Sequence, residues 1–331
     1  MKILLVQTAF LGDIILSTPV IAGLHQCFPG CELWMLTTPM AKPLVERDPL
    51  LKGVLAFEKR GKHRTLSGMR MFARELREMN FDMVYSLHRS FRTSLLLWMS
   101  GIPVRVGFSH AVGSFLYTKT VDRLVGAHDV LRNLSLLQGE QPEVVLDNSL
   151  RLFPPPEETL QEHLQRIQHE SFVVLVPGSA WATKRWTVAG YREVAAHFLG
   201  LGKSVVILGA PNEVEIAKQV SQGLEVLNLC GQTSIAQMVG IIGKSSLIVC
   251  NDSMALHVAS SLKIPTVTVF CATSPHFGFG PWKNRATVVE KLDLSCKPCR
   301  RHGSNRCPTG TELCMTGVSS AEVIEAAQEY L

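Results

Sequence analysis

Apolar positions along the chain fall into two alternating rhythms. Short continuous runs, rich in β-branched residues, lie at Ile3–Gln7, Leu33–Leu36, Val54–Phe57 and Met83–Ser86, and again at Phe172–Val176, Ser204–Leu208, Leu247–Cys250 and Thr266–Phe270. Runs this unbroken fit parallel strands covered on both faces. Between them, stretches with helical spacing run over Asp13–Cys27, Gly68–Met79, Val188–Leu201, Glu213–Gln222, Ile235–Ile242 and Met254–Leu262. Repeated βα alternation predicts an α/β fold with doubly wound parallel sheets. The alternation stops at 147–158, where Asp147-Asn148-Ser149 and then Pro154-Pro155-Pro156 continue neither a helix nor a central strand. The boundary is placed there, giving Rossmann-like domains at 1–150 and 151–331 on either side of a cleft. Ser319–Leu331 reads as a terminal amphipathic helix.

The chain has 331 residues, 46% hydrophobic and 18% charged, a mixture that buries a sizeable core and excludes disorder. No run reaches 18 uncharged apolar residues, so no membrane-spanning helix is predicted. The apolar run at the start, Ile3–Val6, is too short for a secretion signal, and a cytoplasmic protein is expected. Charge is uneven. Residues 58–105 hold 10 basic and 4 acidic side chains within a chain of net charge +5. Such an excess suits an anionic partner, or is simply an Arg-rich solvated surface.

Ligands in open α/β sheets bind on loops at the carboxyl ends of strands. Neither G-x-G-x-x-G nor G-x-x-x-x-G-K-[ST] occurs, which argues against a nicotinamide site and a P-loop. Four loops remain. In the first, Gly12 permits a close approach, and Asp13 is either a helix-start residue or a general base. In the second, Pro177–Trp186, the small residues Ser179 and Ala180 expose backbone N–H groups and Lys184 adds a point charge. Trp186 reads as packing. In the third, Glu213 is a cap or a ligand for a ribose diol. The fourth, Asn251-Asp252-Ser253, opens a helix whose N-terminus suits phosphate, with His257 one turn inside. A cation and a helix start in one domain suit a diphosphate leaving group; a lone aspartate in the other suits a base.

In order and spacing these motifs resemble the lipopolysaccharide heptosyltransferases, inverting glycosyltransferases of the GT-B fold. Gly12-Asp13, Pro177-Gly178-Ser179 with Lys184 and Trp186, Gly209–Glu213 and Asn251-Asp252-Ser253 with His257 carry the likeness; the usual glycine after Asn-Asp-Ser is Met254. The resemblance implies Asp13 as the base, and Ser179, Ala180, Lys184, Glu213, Asp252, Ser253 and His257 around ADP-heptose. The implied acceptor is the anionic heptosyl-Kdo-lipid A of the inner core, reached at the cytoplasmic face of the inner membrane. Gly12, Lys59, Arg60, Lys62, Arg64, His88, Arg89 and Arg92 would meet it. Another donor, a protein acceptor or a zinc-knuckle nucleic-acid-binding protein are the alternatives, and no nucleic-acid partner is expected.

Nine cysteines are present, four of them within 19 residues: Cys296, Cys299, Cys307 and Cys314. The Cys-x-x-Cys turn and two later thiols suit a tetrahedral structural zinc or iron. A reduced loop and a disulfide are the other readings. The tail resembles the heptosyltransferase II branch, and related protein glycosyltransferases hold iron in a comparable cluster. Four thiolates leave no open position for catalysis, and no cofactor is expected for transfer itself.

Overall fold

The computed structural model describes every residue except 142, 170, 301 and 331. The chain divides into two compact units, Met1–Phe153 and Pro154–Leu331. The first runs β1 (Lys2–Val6), α1 (Leu11–Ser17), α2 (Pro19–Cys27), β2 (Glu32–Thr37), α3 (Lys42–Val45), β3 (Gly53–Ala56), α4 (Leu66–Glu78), β4 (Met83–Ser86), α5 (Phe91–Ser100), β5 (Val104–Phe108), β6 (Lys119–Val121) and α6 (Asp129–Leu134). The second runs α7 (Gln161–Leu164), β7 (Phe172–Val176), α8 (Val188–Gly200), β8 (Ser204–Ile207), α9 (Val214–Ser221), β9 (Leu227–Asn228), α10 (Ile235–Lys244), β10 (Leu247–Asn251), α11 (Met254–Leu262), β11 (Thr266–Val269), β12 (Ala286–Val289), α12 (Leu313–Thr316) and α13 (Ser320–Gln328).

Both sheets are parallel, and both have the same order. The first is β3-β2-β1-β4-β5-β6 and the second is β9-β8-β7-β10-β11-β12. Counted within each unit, that is 3-2-1-4-5-6 twice, the doubly wound Rossmann arrangement. Central strands are the most apolar because helices cover both faces: Ile3–Val6 and Val173–Leu175 are fully buried, as are Leu247–Cys250. The chain reverses winding direction between β1 and β4, and between β7 and β10. At these two switch points the flanking loops diverge and leave a crevice at the carboxyl edge, where Rossmann folds bind ligands.

The long helix predicted over 13–27 is two helices. Pro19 lacks an N–H and starts α2 at its first turn, so the hydrogen-bond ladder breaks at Thr18. The terminal helix is shorter than expected, Ser320–Gln328, started by Ser319 and Glu322 in a reciprocal cap; Leu331 lies outside the described residues. No helix among the described residues is long and apolar enough to cross a membrane.

Candidate active site

At the second sheet's switch point, side chains cross-link the loops after β7 and β10. Asn251, fully buried at the end of β10, donates from Nδ2 to the carbonyls of Pro177 (2.8 Å) and Gly178 (3.2 Å), and its Oδ1 accepts from the Trp186 amide (2.9 Å). Arg185 Nε donates to the Ser179 carbonyl (2.9 Å). Trp186 is buried and donates to the Val318 carbonyl, so it is packing, as its sequence position suggests. These bonds fix the loop on which Lys184 stands.

Lys184 Nζ lies 2.7 Å from Asp252 Oδ2, and both side chains are largely buried. The same carboxylate oxygen accepts from Thr273 Oγ1 at 2.6 Å. Asp252 therefore holds the ammonium of Lys184 and is itself held by a buried hydroxyl. An ammonium has three donors, so one is used here and two remain for an incoming anion. Beside this cluster α11 begins at Ser253, whose hydroxyl is buried and makes no cap bond and no other hydrogen bond. A buried hydroxyl without a partner costs free energy and is satisfied when a polar ligand arrives. The first N–H groups of α11 add the positive end of a helix dipole. His257 is buried one turn further in.

Glu213 reaches the same loop from the end of β8. Its carboxylate accepts from the Ala210 amide (2.8 Å) and lies against Gly178, where an added Cβ would come within 2.1 Å of it. Ser179, buried, donates weakly to the Asp252 carbonyl at 3.5 Å, while Ala180 is exposed. The second unit thus brings Ser179, Lys184, Glu213, Asp252 and Ser253 to one switch point.

The cysteine-rich loop packs against this loop. Thr183 N and Oγ1 donate to the Ser304 carbonyl (3.0 and 2.9 Å), and Ser304 N donates back to Thr183 Oγ1 (2.9 Å). Gly303, at φ +77°, lies close enough that an added Cβ would sit 3.1 Å from Lys184 Cγ. Cys314 is buried in the core with its thiol pushed up to about 11 by burial, whereas the Thr309 hydroxyl and loop amides bring Cys307 down to about 7. Among the described residues no group of three or more Cys, His, Asp or Glu is arranged to hold a metal ion. The structural zinc or iron expected here is not confirmed; what this loop shows is its packing against the loop that carries Lys184.

The first sheet's switch point carries different chemistry. Asp13 is the third residue of α1, half-buried, and its Oδ2 accepts from the Phe10 amide (3.2 Å). Burial pushes its carboxyl up to about 6, helped by the carboxylate of Asp129; the Phe10 amide and Arg123 pull the other way. Asp129 is buried on α6 and ion-paired with Arg123 and, at 3.7 Å, with Arg132. The helix-start reading of Asp13 is thus compatible with the other: the same carboxylate closes a helix start and has the affinity for protons that a base needs at neutral pH.

Across the switch point Thr8 Oγ1 meets His88 Nδ1 (2.9 Å), which Thr93 Oγ1 also meets at 2.7 Å. Burial, with Lys59 and Arg89 nearby, holds His88 down to about 4, so it is neutral at pH 7. Lys59 is turned inward and donates to the Thr8 carbonyl. Arg92 is also committed: its guanidinium bonds the carbonyls of His63 and Arg64 (2.6 Å for the latter) and lies over Phe57. Arg105, the last cation of this basic segment, bonds the carbonyls of Leu116 and Ile102. Arg60, Lys62, Arg64 and Arg89 are exposed, Lys62 beside Glu58 at 3.5 Å and Arg89 beside His110 at 3.0 Å. Gly12 stands in the first turn of α1.

Sequence reasoning missed Thr273, Asn251 as a cross-link, and Ser304. Thr273 follows β11 within Ala272-Thr273-Ser274-Pro275 and lacks charge or spacing to mark it; its position one strand from a switch point is the only available signal.

Comparison with known proteins gives the family and the fold. Residues 69–308 match the family described as glycosyltransferase family 9 (heptosyltransferase). Lipopolysaccharide heptosyltransferase 2 of Escherichia coli K12 is 25% identical over 309 residues, 88% of each chain. A crystal structure of a family 9 glycosyl transferase from Veillonella parvula superposes with a TM-score of 0.85 at 24% identity, covering 99% of this chain and 96% of that one. The E. coli ADP-heptose LPS heptosyltransferase II structure gives 0.82 at 23%, covering 100% and 98%. The fold is that of the GT-B heptosyltransferases, and the chain belongs to glycosyltransferase family 9, the heptosyltransferases.

Proposed function

We propose that this glycosyltransferase moves heptose from ADP-L-glycero-D-manno-heptose to the inner core of lipopolysaccharide, onto heptosyl-Kdo-lipid A, with inversion at the anomeric carbon. The observation that carries the mechanism is Asp13, a carboxylate with raised proton affinity at the first sheet's switch point. Asp13 takes the proton of the acceptor hydroxyl as that oxygen bonds to the anomeric carbon. The bond from that carbon to the diphosphate oxygen breaks, and ADP leaves with the electron pair. Charge gathering on the diphosphate is met by the two spare N–H donors of Lys184 and the free amides of α11, aimed in advance. Ser179 and Ser253 supply hydroxyls beside the phosphates, and Glu213 serves the ribose. His257, buried one turn into α11, completes the residues around the ADP part of the donor. Arg60, Lys62, Arg64 and Arg89 face the anionic acceptor, where Arg suits phosphate and carboxylate by bidentate bonding. The acceptor is lipid-borne, which places the enzyme at the cytoplasmic face of the inner membrane.

Donor recognition is tested by thermal shift. ADP-heptose and ADP raise Tm, by about 2.7 kcal/mol of added stability at a hundred times Kd, and Lys184→Ala loses most of that shift. Equal protection of Lys184→Ala by ADP would remove Lys184 from the donor site.

A further inference from the structure

The loops at the carboxyl edge of the first sheet end in an exposed apolar tip. Val112 and Phe115, in the turn after β5, are 64% and 78% exposed, and Phe91, opening α5, is 46% exposed. Three contacts place them together. The Val112 amide donates to the Arg89 carbonyl (3.0 Å), Ser94 Oγ donates to the Val112 carbonyl (3.1 Å), and a Cβ on Gly113 would come within 2.9 Å of Phe91 Cδ2. The neighbouring loop after β6 is tied on by the Ser109 amide and hydroxyl, which donate to the Val121 carbonyl and Asp122 carboxylate; it carries Val125, almost fully exposed. On the same loops stand exposed Arg89 and His110.

Clustered aromatic and β-branched side chains in water mark a contact surface. The charge beside them indicates which kind. The segment 58–105 is strongly basic, and its exposed members Arg60, Lys62 and Arg64 follow β3 on the same edge of the sheet. A second copy meeting this surface by twofold symmetry would set these like charges against each other. An anionic bilayer would satisfy both features, taking the apolar tip into the headgroup boundary and drawing the cations to its phosphates.

We propose that Phe91, Val112, Phe115 and Val125 seat the first unit on an anionic lipid bilayer, with Arg89 and the basic loop against the headgroups. This rests on the reading that the acceptor is lipid-borne, but the tip engages the bilayer itself, so binding does not require the acceptor. The test is co-sedimentation of the full chain with vesicles of phosphatidylglycerol and phosphatidylethanolamine that lack acceptor. The wild type partitions onto them, less so as salt rises. The Val112→Ser/Phe115→Ser pair lowers the partition coefficient about tenfold or more, and Phe115→Asp alone acts in the same direction. Both variants keep the wild-type melting curve and its turnover on a soluble, delipidated acceptor. No binding of wild type to acceptor-free vesicles, or binding unchanged in both variants, overturns the proposal. Absence of turnover by wild type on the soluble acceptor would count instead against the functional reading, since the vesicle experiment does not depend on catalysis.

Discussion

Two side chains, Asp13 and Thr273, test the proposed chemistry at the scale of single residues. A carboxylate must be ionised to accept a proton, and Asp13 is held up to about 6 by burial and Asp129. Turnover therefore climbs tenfold per pH unit below about 6 and levels off above it. Asp13→Asn leaves donor binding intact, lowers turnover by about 10²–10⁴-fold and removes that acid limb. It also affects stability with a definite sign. The folded state holds the proton more tightly than the unfolded chain, so wild-type stability falls as pH rises from about 4 through 6. Asp13→Asn escapes this, and its gain in Tm over wild type is larger at pH 7.5 than at pH 4. Equal Tm differences at both pH values would contradict the raised proton affinity. Thr273 acts through Asp252: Thr273→Val leaves the carboxylate one donor short and lets Lys184 swing, raising donor KM about tenfold, the size of one hydrogen bond to a charged group. Thr273→Ser restores it. Equal defects in the two variants would make Thr273 a packing residue only. Asp13 and Lys184 stand out in the sequence because each is a charge in a loop that follows a strand and also holds glycine or small residues. Thr273 is not, because its meaning lies in contact with a residue 21 positions away that no local pattern records. The inward turn of Lys59 and Arg92 is hidden for the same reason: a Lys or Arg reads alike whether its head meets solvent or a backbone carbonyl.

Among the elements, the central ones are the most legible. β1, β4, β7 and β10 are unbroken apolar runs because both of their faces are covered. β5 escapes the pattern because Arg105 and Gly107 interrupt it, and Gly107 is needed where the Tyr117 ring crosses, an added Cβ coming within 2.3 Å of it. β6 is a short and largely exposed strand at the sheet edge, and β9 is two residues long, so neither shows a buried run. Long-range fit also decides the loop after β7. Gly178 has no room for a methyl group because the Glu213 carboxylate occupies its place. Gly178→Ala lowers stability by about 1–3 kcal/mol, the usual cost of overpacking. Glu213→Ala in the same chain relieves the collision, so the double variant melts above Gly178→Ala alone. Additive losses in the cycle would show that the two do not collide.

At the scale of the molecule, one strand order serves twice. Each unit places different side chains at the switch point of the same topology: in the first a carboxylate of raised proton affinity among exposed cations, in the second a held ammonium and a helix start. The doubly wound class was readable from the βα alternation; the compact units meet at Phe153 and Pro154, at the start of the proline run, not at 150 and 151. The strand order was not readable, because registry between distant strands leaves no mark in that alternation. The proposed reaction is heptosyl transfer with Asp13 as the base. It is tested most directly by mass spectrometry of a heptosyl-Kdo-lipid A acceptor incubated with ADP-heptose and either the wild-type chain or Asp13→Asn. Wild type gives a product one heptose heavier, with inverted anomeric configuration by NMR, and Asp13→Asn gives almost none although ADP-heptose still raises its Tm. No heptose added by the wild type, or near-normal product from Asp13→Asn, would contradict it.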